Sequence, residues 1–411
     1  MGWPWLDALL ARPVKRIIGL ISGTSADGIA TAVADVADGA ADGFPRVTLR
    51  GFVSHPFPEE VRARVLRACV EPLTTQALAS LSYLLGELFA DAAREAVRTA
   101  GIGLEDVDLI ASHGQTVAHV GVPDSADRWA RAATMQIAEP AVIAARTGRP
   151  VIADFRAADI AAGGQAAPFV PYADLMLLGG PVGRIALNLG GIANFTVLPP
   201  NPRRDDVYAF DCGPANMVID GLVRHFTGGA ERFDRDGRRA ARGHVREDVL
   251  AALMRDPFVT AAPPKTAGHE QFGQAFLRTL LSRWGDVPPD DLIATATAFS
   301  ADAVAWNIAQ YVTPSHTVDE LVASGGGTHN PVLMDRLARA VAPIRVRRID
   351  EFGVPGDAKE ALAFALLGHA SLVGRPGALP RVTGARYAAV LGTWTWPPAA
   401  AGDAPTRPAG R

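Results

Sequence analysis

The sequence has little of what marks a secreted, membrane-embedded or nucleic-acid-binding protein. Its 411 residues include two cysteines, Cys69 and Cys212, too few and too far apart for a disulfide framework or a zinc site. The sequence contains no run of about 18 uninterrupted apolar residues, so no membrane span is predicted. The net charge of −3 provides no broad attraction to nucleic acid or to an anionic membrane. We therefore expect a cytoplasmic protein without nucleic-acid or membrane partners.

The common nucleotide-binding motifs are also missing, because neither G-x-x-x-x-G-K-[ST] nor a strand-linked G-x-G-x-x-G occurs. What the chain has is two glycine turns, residues 19–28 and 188–194, each set between two apolar strands. Glycine lets backbone N–H groups approach an anion without a Cβ in the way, and such turns hold phosphates. A tight hairpin explains either turn alone. The pair favours a nucleotide clamped between two similar lobes.

Strands and helices alternate in a pattern that occurs twice along the chain. The first half has apolar segments at 15–22, 29–36 and 47–54 before two helical patterns, and the second half has them at 184–189, 192–198 and 207–210. This predicts an α/β protein with an N-terminal lobe at 15–165, a C-terminal lobe at 166–395, and flexible termini at 1–14 and 397–411. The duplication fits the two-lobed actin-like (ribonuclease H-like) kinase fold, with ATP in the cleft between the lobes.

Eight short segments resemble the anhydro-N-acetylmuramic acid kinases in sequence and in order, over roughly residues 17–391. They are the two glycine turns and residues 112–116, 154–161, 163–165, 211–216, 325–330 and 356–361. The resemblance implies a transferase of peptidoglycan recycling that uses ATP and Mg²⁺. Such a kinase opens 1,6-anhydro-N-acetylmuramic acid with water and phosphorylates O6, which yields N-acetylmuramic acid 6-phosphate. The alternatives are a same-fold kinase for a different sugar and a non-catalytic actin-like sugar sensor.

By this resemblance Asp211 is the catalytic base that activates water. The residues alone leave a second explanation open, because Asp is a common N-cap and a helix is predicted to follow.

The resemblance also implies the nucleotide site. Its ATP-binding residues are Ser22, Gly23, Thr24, Ser25, Asp27, Gly28, Gly190, Gly191, Asn194, Gly325, Gly326, Gly327 and Asn330. Asp27 is the candidate Mg²⁺ ligand, directly or through water, and an ordinary Asp-Gly turn is the alternative. Asn330 is also explained as a helix cap.

A third group of residues is implied for the sugar. It consists of His113, Gln115, Thr116, Asp154, Arg156, Asp159, Gln165 and Glu360. The guanidinium of Arg156 suits the lactyl carboxylate. Structural alternatives remain for several of these residues. His113 is also explained as a core histidine, Arg156 and Asp159 as an ion pair, and Glu360 as part of a capping box at 357–360. The expected partners are ATP and the sugar, with a homodimer as one option for the assembly.

Overall fold

The computed structural model describes residues 4–39, 44–121, 123 and 125–397. The contacts between residues divide the chain into two compact units. Unit 1 contains the described residues of Met1–Leu177 and Ala358–Arg411, and unit 2 is Leu178–Asp357. Each unit has its own sheet with helices packed against it, which confirms the predicted α/β class.

The sheet of unit 1 is built around a three-stranded antiparallel meander, β1–β2–β3. The first strand of the meander pairs in parallel with β4, which pairs in parallel with β6, and the strand order is β12-β6-β4-β1-β2-β3 with β5 on β4. The strands are β1 Val14–Ser22, β2 Gly28–Ala37, β3 Arg46–Pro56, β4 Leu109–Val120, β5 Ala133–Ile137, β6 Val151–Ala153 and β12 Thr393–Thr395.

The sheet of unit 2 repeats this plan with the order β11-β10-β7-β8-β9. Its strands are β7 Arg184–Leu189, β8 Ile192–Leu198, β9 Tyr208–Pro214, β10 Glu320–Ser324 and β11 Arg345–Arg348. Again a meander starts with a strand that pairs in parallel with a later strand, and that strand pairs in parallel with another. The two units are therefore copies of one ribonuclease H-like topology, the duplication typical of actin-like kinases.

The helices cover the faces of these sheets. Those of the first part of the chain are α1 Pro4–Ala11, α2 Glu59–Val70, α3 Thr75–Thr99, α4 Pro140–Thr147, α5 Ala157–Ala161 and α6 Val170–Leu178. Those of unit 2 are α7 Asn216–Phe226, α8 Arg238–Arg242, α9 Glu247–Leu253, α10 Pro257–Thr260, α11 His269–Phe272, α12 Gln274–Trp284, α13 Pro289–Tyr311 and α14 Pro331–Ala340. The chain then returns to unit 1 with α15 Lys359–Leu372 and α16 Pro380–Thr383.

This return corrects the predicted lobe boundaries, which placed residues 166–395 in the second lobe. Helix α15 is buried along almost its whole length and packs on β1, β2 and β4. A Cβ at Gly19 would lie 1.9 Å from the Ala361 carbonyl oxygen, so the glycine is what lets the helix approach the strand. A helix that is apolar all round is stable only when it is covered on all sides.

Polar contacts hold both ends of α15, a buried ion pair at its start and a hydrogen bond of a neutral histidine near its end. At its start, Lys359 Nζ lies 2.7 Å from Asp174 Oδ1, with both side chains almost inaccessible to solvent. Near its end, His369 Nε2 lies 3.1 Å from Asp38 Oδ1, and Asp38 also pairs with the buried Lys15. The capping box predicted at 357–360 is wrong, because the N-cap is Ala358 and no side chain caps the helix.

The N-terminal segment differs from the prediction as well. Residues 1–14 were expected to be flexible, but α1 occupies Pro4–Ala11 and β1 begins at Val14. Leu9 of this helix is 5% exposed, and the Trp5 ring packs edge-on against Trp396 at 5.2 Å between centroids. Apolar side chains therefore dock the helix. Of the predicted C-terminal tail, residues 398–411 lie outside the described residues.

Helix α13 is the one helix in the described ranges that is long and apolar enough to cross a membrane. However, 78% of its most apolar window is buried inside the protein. It packs against α7, α8, α14 and β9, so its apolar surface belongs to the core of unit 2.

Candidate active site

The first glycine turn lies in unit 1, between β1 and β2. The Ser22 hydroxyl donates to Gln115 Oε1 at 2.6 Å, and Gln115 Nε2 donates to the carbonyls of Gly23 at 3.3 Å and Thr116 at 3.1 Å. Ser22 and Gln115 are both buried. Gln115 was predicted to bind the sugar, but its side-chain amide is fully engaged in bracing this turn. The structure makes it a positioning residue.

The tip of the same turn is open to solvent, with Thr24, Ser25 and Asp27 exposed. A Cβ at Gly23 would meet no atom within 4 Å, and its φ lies outside the left-handed region, so nothing within the protein requires glycine there. At Gly28 the reason is structural, since a Cβ would lie 2.3 Å from the His55 carbonyl oxygen. The turn thus offers backbone to a ligand at Gly23.

An arginine that the sequence analysis did not single out flanks this turn. Arg62, on α2, donates to Asp27 Oδ1 at 3.2 Å and to the Ser25 carbonyl at 3.4 Å. The Asp27 side chain remains 72% exposed. Because 35 residues separate Arg62 from Asp27, no local pattern could have linked them.

Arg156 is the centre of the predicted sugar-binding group in unit 1. Its Nε donates to His113 Nε2 at 2.9 Å, another nitrogen donates to the Ala166 carbonyl, and the guanidinium lies 5.3 Å from the Phe169 ring centroid. Burial, together with the charge of Arg156, lowers the pKa of His113 to about 3. The imidazole is therefore neutral, with Nδ1–H donating to the Gly114 carbonyl at 3.0 Å. His113 is buried and orients Arg156 through this hydrogen bond, a role that needs no contact with a ligand.

Glu360 and Asp154 are the exposed carboxylates of this group. Desolvation raises the pKa of Glu360, while the charges of Lys359 and Arg156 act in the opposite direction. Desolvation also raises the pKa of Asp154, which follows β6 with φ of 55°. Strained positive-φ conformations of non-glycine residues concentrate at functional sites. Both carboxylates can accept hydrogen bonds from a ligand.

Asp159 is not available to a ligand, in contrast to its predicted role in sugar binding. It is fully buried, and its two carboxylate oxygens accept from the Ala166 N–H at 2.7 Å and from the Thr383 hydroxyl at 2.8 Å. The hydrogen-bond partners of the Asp159 carboxylate are therefore Ala166 and Thr383, and not Arg156, the partner in the predicted alternative. Asp159 fixes the loop that carries Ala166, the acceptor of Arg156.

Two further predicted sugar contacts lie near the β4–β5 hairpin. The Thr116 hydroxyl accepts from Gln136 Nε2 at 3.1 Å, and Thr116 is half-buried. Gln165 is exposed, and its Oε1 lies 2.8 Å from where a Cβ of Gly121 would stand. Both remain predictions for the sugar, with Gln165 the more accessible of the two.

The second glycine turn lies in unit 2, where Asn216 at the start of α7 holds its carbonyl groups. Asn216 Nδ2 donates to the Leu189 carbonyl at 3.0 Å and to the Gly190 carbonyl at 2.8 Å, and its backbone N–H also donates to Gly190. In a trans peptide the C=O and the N–H point in opposite directions. The N–H groups of Gly190 and Gly191 therefore point away from α7, as in an anion-binding nest.

The triple glycine after β10 combines structural and open positions. Gly325 has φ of 87°, and a Cβ there would lie 2.6 Å from Asn188 Oδ1. A Cβ at Gly327 would lie 2.7 Å from the Leu189 Cβ. At Gly326, by contrast, the nearest atom would be Asn216 Nδ2 at 3.9 Å. Gly325 and Gly327 are thus needed for packing, while Gly326 leaves room beside the second glycine turn.

Asn330 follows the triple glycine and caps α14, as its structural alternative proposed. Its Oδ1 accepts from the backbone N–H groups of Val332 and Leu333, each at 3.1 Å, and the residue is buried. The side-chain oxygen already accepts these two backbone hydrogen bonds, so the structure does not present it to a nucleotide.

Asp211 lies within β9 and does not cap α7, whose N-cap is Ala215. Its Oδ2 accepts from the Ala267 N–H at 2.7 Å. Burial raises the pKa of Asp211 to about 6, with the Ala267 N–H and the charge of Lys265 acting in the opposite direction. Asn194 pairs with Asp211 across β8 and β9. Cross-strand partners share one face of the sheet, so the predicted base has an amide neighbour.

Lys265 is a second residue that the sequence analysis missed. Its ammonium group donates to the carbonyls of Phe258 at 2.9 Å and Val259 at 2.8 Å, and its own carbonyl accepts from the Asp211 N–H. The ammonium group also lies within 6.0 Å of the ring centroids of Phe210, Phe258 and Tyr311. A cation held by aromatic faces is fixed in position, and this one lowers the pKa of the neighbouring carboxyl.

The chain is similar to known proteins over nearly its whole length. The family model of the anhydro-N-acetylmuramic acid kinases matches residues 15–397. A relative of that name from Caldanaerobacter subterraneus subsp. tengcongensis is 41% identical over 92% of this chain and 96% of its own length, and one from Salinibacter ruber is 42% identical over 95% and 100%. Among solved structures, a ROK family glucokinase from Streptomyces griseus covers 86% of this chain and 99% of its own, at 14% identity and a TM-score of 0.35. With a family match over nearly its whole length and relatives above 40% identity, this chain belongs to the anhydro-N-acetylmuramic acid kinase family.

Proposed function

We propose that this protein is an ATP-dependent kinase that opens 1,6-anhydro-N-acetylmuramic acid with water and phosphorylates O6, which yields N-acetylmuramic acid 6-phosphate. Family membership supports the reaction class. The observation that carries the hydrolytic half is Asp211, a partly buried carboxylate that caps no helix and has its pKa raised to about 6. Because ATP is the phosphoryl donor, the reaction belongs in the cytoplasm.

Asp211 acts as the general base in this proposal. It accepts a proton from water while the water oxygen forms a bond to C1 and the bond from C1 to the bridging O6 breaks. A base is most effective when its pKa lies near the working pH. With a pKa of about 6, Asp211 is deprotonated at neutral pH yet more basic than an ordinary aspartate.

The released O6 then forms a bond to the γ-phosphorus of ATP, and ADP leaves. We assign the phosphates to the backbone N–H groups of the two glycine turns, at Gly23 and at Gly190 and Gly191, since preorganised donors stabilise the charge of a transferring phosphoryl group. The adenosine is assigned to the open backbone at Gly326. Thr24 and Ser25 offer exposed hydroxyl groups beside the first of these sites.

The chemistry of the donors also fits Mg²⁺. In the described ranges no three His, Cys, Asp or Glu side chains come together as a metal site. Mg²⁺ in kinases is held by one or two carboxylates, substrate phosphates and water, so Asp27 with its 72% exposed side chain suffices. When bound, the ion neutralises phosphate charge.

For the sugar, we assign the lactyl carboxylate to Arg156, whose orientation His113 fixes. Glu360 and Asp154 are the exposed acceptors for sugar hydroxyl and amide groups.

The test is turnover in ¹⁸O-water. The protein is incubated with Mg-ATP and 1,6-anhydro-N-acetylmuramic acid, and the products are analysed by mass spectrometry with fragmentation. We expect ADP and a sugar 6-phosphate that carries one ¹⁸O atom at C1. Unlabelled sugar phosphate would contradict the hydrolytic step. Reducing amino sugars are the control substrates, and phosphorylation of those but not of the anhydro sugar would overturn the proposed substrate.

A further inference from the structure

Asp220 is a partly buried carboxylate that the proposed function does not yet use. It lies on α7, four residues after Asn216, and residues at this spacing share one face of a helix. The opposite face of α7 forms core with Val218, Ile219, Leu222 and Val223. The face with Asp220 begins at Asn216 and Met217, which contact the second glycine turn. Asp220 thus follows the phosphate-binding segment by one helical turn.

The Asp220 carboxylate accepts no hydrogen bond and forms no ion pair in the part of the chain that the structure describes. Burial raises its pKa to about 6, while the charges of Arg224 and Asp234 act in opposite directions. A carboxylate that loses water without gaining donors costs free energy. Its neighbour Asp234 differs, because its oxygens accept from the N–H groups of Arg239 at 2.8 Å and Ala240 at 3.0 Å. Of these two carboxylates, Asp220 is therefore the one that can accept hydrogen bonds from a ligand without losing bonds within the protein.

The surroundings of Asp220 belong to the segment expected to hold the adenosine. The 3₁₀ helix Arg235–Gly237, which follows Asp234, contacts the 3₁₀ helix Gly326–His329 of the triple glycine. A Cβ at Gly237 would lie 2.3 Å from Asn330 Oδ1, which shows how closely the two segments approach. On the other side, the Asn216 amide lies next to Gly326. Within unit 2, Asp220 thus follows Asn216, the neighbour of Gly326, on α7 and interacts electrostatically with Asp234, which precedes the segment in contact with the triple glycine.

We propose that Asp220 accepts a hydrogen bond from a ribose hydroxyl of the bound nucleotide. The proposal rests on ATP binding by the proposed function and adds the residue that recognises the sugar of the nucleotide. A phosphate is the wrong ligand, because it would repel a carboxylate. A vicinal diol has two adjacent O–H donors that match the two carboxylate oxygens, and an acidic side chain in contact with ribose hydroxyls is a recurring solution in nucleotide sites.

The test measures binding of a non-hydrolysable ATP analogue and of its 2′-deoxy and 3′-deoxy forms by calorimetry, without acceptor sugar. We expect the wild type to bind the ribonucleotide about 10-fold or more tightly than at least one deoxy form, as a hydrogen bond to a charged group implies. Asp220→Ala should lose this discrimination by weakening only the ribonucleotide. Asp248→Ala removes an exposed carboxylate of α9 and is the control that should keep it.

Unchanged discrimination in folded Asp220→Ala, or none in the wild type, would overturn the proposal. A second contrary result is that folded Asp220→Ala loses only the preference for the ATP analogue over its inosine counterpart and keeps the ribose preference. That result would assign the carboxylate to the adenine amino group and would also overturn the proposal. Asp220→Asn is the second variant if the alanine variant does not fold, and its discrimination should fall in part. Failure of the wild type to bind any nucleotide would contradict the proposed function itself, which separates the two tests.

Discussion

Replacement of Asp211 by asparagine should strongly lower turnover and at the same time stabilise the protein. Asparagine retains an oxygen that can accept from the Ala267 N–H, but it cannot take a proton from water. General-base catalysis contributes about 10² to 10⁴-fold in rate, so kcat should fall by at least about 10²-fold. Binding of a non-hydrolysable ATP analogue should be unchanged.

The stability effect follows from the raised pKa. Folding moves the pKa of Asp211 from an ordinary 3.8 to about 6, and each pKa unit is worth about 1.36 kcal/mol. Ionised Asp211 therefore costs at most about 3 kcal/mol of folding free energy at neutral pH, an upper bound because the side chain is partly solvated. Since the native state holds this proton more tightly than the unfolded state, wild-type stability falls as pH rises from about 4 to about 6 and then levels off. The Asp211→Asn variant has no carboxyl group at this position and should not show this fall in stability with rising pH.

The assay is urea unfolding of wild type and Asp211→Asn at a series of pH values, with steady-state turnover measured on the same samples. The variant should be more stable above pH 6 and equal to the wild type below pH 4. Asp248→Asn is the control for loss of an exposed carboxylate and should change neither quantity. A folded variant that keeps more than about a tenth of the wild-type turnover would refute the base assignment. A variant less stable than the wild type at pH 7 would refute the stated cost of the buried charge.

Three further outcomes follow from the structure. Lys265→Met removes the charge that lowers the pKa of the proposed base, so the acidic limb of the pH profile of kcat/KM should move to higher pH, whereas a purely structural lysine would leave the limb in place. Asp174→Asn removes the carboxylate charge that lies 2.7 Å from the buried ammonium group of Lys359 and should cost about 3–5 kcal/mol in urea unfolding; a loss under about 1 kcal/mol would contradict a stabilising role of this pair. Cys69 is exposed and Cys212 buried, both as free thiols, so a thiol reagent should titrate one group in native protein and two after unfolding, and a count of zero after unfolding would indicate a disulfide.

Local patterns were sufficient to predict the parts of the site that are made of backbone. The two glycine turns follow from apolar runs separated by small residues, and the structure has both as connections between antiparallel strands. The repeated order of strands and helices likewise predicted two copies of one α/β topology. The boundary of the second lobe was not predictable in this way, because the return of α15 to unit 1 depends on contacts between Gly19 and Ala361, more than 300 residues apart in the sequence.

The sequence by itself determined the family, the duplicated fold and the small set of polar residues that could act. Only the tertiary structure decided which of these have free hydrogen-bonding capacity, because that depends on partners far away in the chain. The side chains of Gln115 and Asp159 are engaged in hydrogen bonds within the protein, while the Asp220 carboxylate has no such hydrogen bond in the described residues. Lys265 became visible as a neighbour of the proposed base in the same way. Composition and spacing determine which groups a chain carries, but burial and the geometry of their partners determine which of them are left to bind a ligand.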